Sequence, residues 1–76
     1  MTPAQRARQQ RDIRLLGQYE MLKEQHPGST DAQLFKELAR RGCQGLHSQS
    51  GVSMAIRRAR AYVERREAAR AAGGAR

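Results

Sequence analysis

The sequence predicts an all-α fold: one small domain of three helices, followed by a flexible basic tail. Three observations carry that expectation. Two Thr-x-x-Gln boxes, Thr2–Gln5 and Thr30–Gln33, head segments rich in helix formers, and such boxes satisfy backbone N–H groups left open at a helix start. Val52, Ala55, Ile56, Ala59, Tyr62 and Val63 recur at helical spacing, which makes a single apolar stripe. No stretch reads as a strand. A chain of 76 residues has room for one domain with a small core.

The first helix is expected over about residues 3–25. Thr2 suits the N-cap, Pro3 the first helical position and Gln5 the capping box. Ile13, Leu15, Leu16, Tyr19 and Leu22 form its apolar face. Gly17 weakens it locally by about 1 kcal/mol relative to alanine. Before Ile13 the residues are mainly Gln, Arg and Ala, so the first turns are expected to project or fray. That leaves Arg6, Arg8, Arg11 and Arg14 free to touch phosphates.

His26-Pro27-Gly28 ends this helix, because proline disfavours helical geometry in the residue before it. The second helix spans about 31–41, with Thr30 as N-cap and Asp31 complementing the helix dipole. Leu34, Phe35, Leu38 and Ala39 share one of its faces, and Phe35 is expected at the centre of the core. Gly42 fits a left-handed C-terminal cap. In the turn that follows, Leu46 and Cys43 are expected to plug the core. The third helix runs over about 50–66, capped by Ser48 or Ser50. Residues 1–66 then form the domain, and 67–76 form a fraying helix end and flexible tail.

Charge narrows the choice of function. Fifteen Lys and Arg against seven Asp and Glu give +8. Residues 1–18 carry +3, residues 19–47 are neutral and residues 48–76 carry +5. Such an excess favours a polyanionic partner. One cysteine excludes an internal disulfide and fits a reducing, cytoplasmic compartment. No apolar run approaches a membrane span, and no signal peptide is read at the start.

No catalytic constellation is present, and no cofactor is implied. Cys43 and His47, with His26, lack the second cysteine that would make a strong zinc pattern. Tyr19, Phe35 and Tyr62 are too few to suggest stacking on single-stranded nucleic acid.

On the side opposite the apolar stripe, the third helix carries Ser50, Ser53, Met54, Arg57, Arg58, Ala61 and Arg65. Two capped helices joined by a glycine-bearing turn, the second amphipathic and basic, form a helix-turn-helix pattern. The chain resembles helix-turn-helix DNA-binding domains over about Thr30 to Val63. The run Gly45 to Arg58 is similar to the Gly/Ser-rich turn and recognition-helix start of some plasmid and phage repressors.

That resemblance implies Ser50, Ser53 and Arg57 as base contacts. Met54 can lie against a thymine methyl. Arg58, Arg60 and Arg65 suit phosphates, as do Ser48 and Gln49 at the helix start. The expected protein is a bacterial, plasmid or phage regulator or DNA-accessory factor at the nucleoid. A homodimer on double-stranded DNA suits so small a domain. Two other partners fit the same charge: an acidic protein surface and RNA.

Overall fold

Both capping boxes form as the sequence dictates. In a computed structural model describing residues 2–74, the Gln5 N–H donates to Thr2 Oγ1 at 3.2 Å and Gln5 Oε1 accepts from the Thr2 N–H at 3.1 Å. Helix α1 follows over Pro3–Gln25. The Thr30–Gln33 box repeats this geometry at 2.9 and 3.2 Å and opens α2, Asp31–Arg40. After α2, Gly42 takes a left-handed φ of 65°, a conformation only glycine adopts without steric cost. A single 3-10 turn, Cys43–Gly45, leads towards α3, Gln49–Gly74. Among the described residues these helices are the only regular elements.

Ser48, not Ser50, caps α3. Its Oγ accepts the Gly51 N–H at 3.0 Å, and its carbonyl accepts from Val52. The cap therefore shifts the helix start to Gln49 and leaves Ser50 inside the first turn. The other end differs more. Residues 67–74, expected as a fraying end and tail, continue α3 as helix, with 67–73 exposed. Alanine, glutamate and arginine favour helix by intrinsic propensity without any burial. Ala75 and Arg76, also assigned to that tail, lie outside the described residues.

The core joins all three helices. Leu15, Leu16, Tyr19 and Leu22 of α1 meet Leu34, Leu38 and Ala39 of α2 and Val52, Ala55, Ile56 and Ala59 of α3. The half-buried Cys43 and Leu46 pack on its end as expected. Tyr19 rather than Phe35 occupies the centre, with 1% of its surface exposed. Its ring lies 5.4 Å from that of Phe35, which is only half-buried. The reason is polar as well as apolar: the Tyr19 hydroxyl donates to the Asp31 carboxylate in the first turn of α2. That bond fixes the ring between the helices and leaves Phe35 at the edge.

Candidate nucleic-acid interface

Helical geometry separates the two sides of α3. Val52, Ala55, Ile56 and Ala59 are buried, as their 3- and 4-residue spacing requires. Ser50, Met54 and Arg57 lie on the exposed side, and Met54 keeps 56% of its surface in solvent. Among the described residues Arg57 makes no ion pair. Ser53 sits to one side, half-buried, and lines a shallow groove with Ser50, Gln49, Ala32 and Phe35. Ser48 and Gln49 are exposed at the helix start, although the Ser48 oxygen already accepts a capping bond.

The arginines expected on phosphates divide into two groups. Arg58 does not stand free: its Nε donates to Asp12 Oδ2 at 2.9 Å and its Nη2 to Oδ1 at 3.5 Å. Arg11 Nη2 donates to the same carboxylate at 3.2 Å. Asp12 itself is buried, with 3% of its surface exposed, and a buried carboxylate requires charged partners. Arg58 and Arg11, expected on phosphates, are thus held by Asp12 instead of standing free.

Asp12 carries the signal that was missed. It shares the i, i+3, i+4, i+7 register of Leu15, Leu16 and Tyr19, so its position on the buried face was readable. An acid in that register demands a cation from across the interface, and Arg58 supplies it.

The remaining arginines are exposed. Arg60 places its guanidinium 5.1 Å from the Tyr19 ring centroid, a cation–π distance. Arg6 and Arg14 are exposed on α1. Arg8 and Arg65 are brought together instead. The polar N-terminal half of α1 lies against the C-terminal half of α3, leaving an open groove of about 390 Å³ between them. Gln5, Arg8, Gln9, Arg58, Tyr62 and Arg65 line it, with Asp12 beside Arg58.

Two further arginines are committed on α2. Glu37 accepts from Arg40 Nε at 2.9 Å and from Arg41 Nε at 2.9 Å. These hydrogen bonds hold the Glu37 carboxyl at about 2, well below its ordinary value of 4.5. The Arg40 guanidinium is pushed up by the same pair. Arg40 and Arg41 are therefore both engaged with one carboxylate.

Fold and surface together define a small all-helical protein with a basic outer face. Among the described residues no helix is long and apolar enough to cross a membrane. Comparison with family models, with curated proteins and with solved structures gives no match.

Proposed function

We propose that the chain is a small duplex-DNA-binding protein of helix-turn-helix type. In this view α2 and α3 are the two helices of the motif, and the first turns of α3 enter the major groove. The exposed alignment of Ser50, Met54 and Arg57 on α3 carries the proposal. A major groove admits one α-helix, and side chains on its outer face reach base edges there. Arg57 is the residue that pairs with guanine O6 and N7. Met54 meets a thymine methyl, and Ser50 and Ser53 donate or accept beside them.

The connection from Arg41 to Ser48 is longer than the usual three- or four-residue turn of the motif. Leu46 and Cys43 pack on the core within it, which ties the longer turn down. One domain of this size makes few base contacts, so a homodimer on paired half-sites belongs to the proposal. The role is that of a transcriptional regulator or DNA-accessory factor of a bacterium, plasmid or phage, acting at the nucleoid.

Titration of short duplexes across a salt series tests this. Arg57→Ala is expected to narrow the affinity gap between a selected site and an unrelated duplex, whereas Arg65→Ala weakens both about equally. Absence of duplex binding by micromolar protein at about 50 mM salt, where phosphate contacts are strong, would sink it.

A further inference from the structure

Arg8 and Arg65 stand on different helices yet line the same groove. With Arg58 they set three guanidinium groups around it, against the single carboxylate of Asp12. That carboxylate is already bonded to Arg58 and Arg11, so the groove remains cationic. Gln5, Gln9 and Tyr62 add uncharged donors along its walls. Apolar packing at this end is thin: Tyr62 and Val63 of α3 are only half-buried. No described residue of α1 before Asp12, and none of α3 after Ala59, is fully buried. Two helix ends are therefore held beside each other across like charges.

We propose that this groove is a backbone-phosphate clamp. A phosphodiester of the bound duplex sits between Arg8 and Arg65 and draws the start of α1 and the end of α3 together. The inference rests on the duplex-DNA function proposed above and adds to it a second contact, remote from the base-reading face.

Charge selects a phosphate: guanidinium groups bind its oxygens with paired hydrogen bonds. Spacing selects the same duplex. Arg65 lies eight residues beyond Arg57 on α3, or about 12 Å along the axis at 1.5 Å per residue. The major groove is about 8.5 Å deep, so that distance along a helix entering it by its first turns carries a side chain from the floor to the level of the phosphates. When Arg57 reads bases at the groove floor, Arg65 reaches the sugar-phosphate strand that walls it. Arg8 approaches that strand from α1. Neutralising both arginines removes the repulsion between the helix ends, so binding and local ordering are coupled.

The test compares wild type with an Arg8→Gln/Arg65→Gln double variant on one 16-base-pair duplex. Affinity is measured between 50 and 200 mM salt, and amide exchange with and without DNA. Losing two phosphate contacts makes the slope of log K against log salt shallower by about 1.8, and wild-type affinity falls about tenfold more than the variant's across that range. Wild type is expected to gain exchange protection over residues 3–11 and 60–73 on adding duplex, and the double variant to gain little. The variant's thermal midpoint without DNA is expected to be no lower than wild type's, as it would be if these side chains merely supported the fold.

Duplex binding with an unchanged slope, or without protection of the helix ends, overturns the clamp and leaves the DNA function standing. No duplex binding by wild type overturns both. Equal protection by inorganic pyrophosphate alone would assign the groove to a small anion and overturn the clamp as stated.

Discussion

Arg57 and Arg58 are neighbours in the chain with opposite tasks. Successive residues on a helix differ by about 100° in direction, so Arg57 points outward while Arg58 turns towards α1 and Asp12. The Asp12 side chain retains only 4% exposure, against 41% for Arg58. Breaking a fully buried ion pair costs roughly 3–5 kcal/mol, and the exposure of Arg58 discounts this. Arg58→Gln is therefore expected to lower unfolding free energy by about 1–3 kcal/mol, because the carboxylate keeps Arg11 alone. Arg57→Gln, on an exposed face without an ion pair, is expected to change it by less than about 0.5 kcal/mol. Urea unfolding of the two variants checks the contrast. Equal losses would mean that Arg57 also supports the fold.

Helix boundaries were legible because capping is local chemistry. Thr2 with Gln5 and Thr30 with Gln33 are close enough in sequence to reveal α1 and α2 without knowledge of the third dimension. The end of α3 was less legible, since the lack of large apolar residues after Arg66 argued against packing but not against helix. Tyr19 and Asp12 needed tertiary information. What centres Tyr19 is a bond to Asp31 on another helix, and what holds Asp12 is an arginine 46 residues away.

The C-terminal turn of α2 makes its own prediction. Glu37 has a folded pKa of about 2, lowered from 4.5 chiefly by hydrogen bonds from Arg40 and then Arg41. Since folding depresses this pKa, the carboxylate's contribution to stability is complete above about pH 4.5 and is lost as pH falls towards 2. Glu37→Gln is expected to flatten that part of the stability–pH curve while leaving its slope above pH 5 unchanged. Thermal midpoints across the acid range measure this, and an undiminished slope below about pH 4.5 in the variant would refute it.

For the whole molecule, the fold brings together what the sequence keeps apart. The basic first 18 residues and the basic last 29 are separated by a neutral stretch. Packing α1 against α3 sets the Arg8 and Arg65 regions side by side. The principal extents of 44 × 31 × 15 Å describe a flat, elongated body. Its radius of gyration of 14.0 Å exceeds the roughly 11 Å of a compact chain this long, in keeping with helix ends that run past the core.

Formal charge overstates what such a body offers a duplex. Arg11 and Arg58 are held by Asp12, and Arg40 and Arg41 by Glu37. Were all eight net charges to neutralise phosphates, the salt slope would approach about −7. Phosphate contacts by Arg8, Arg60 and Arg65, with one or two more, give about −3.5 to −4.5. A slope in the shallower range is therefore expected for one protein molecule on one duplex. A slope near −7 would mean that Arg6, Arg14, Arg66 and Arg70, which are exposed as well, also reach phosphates.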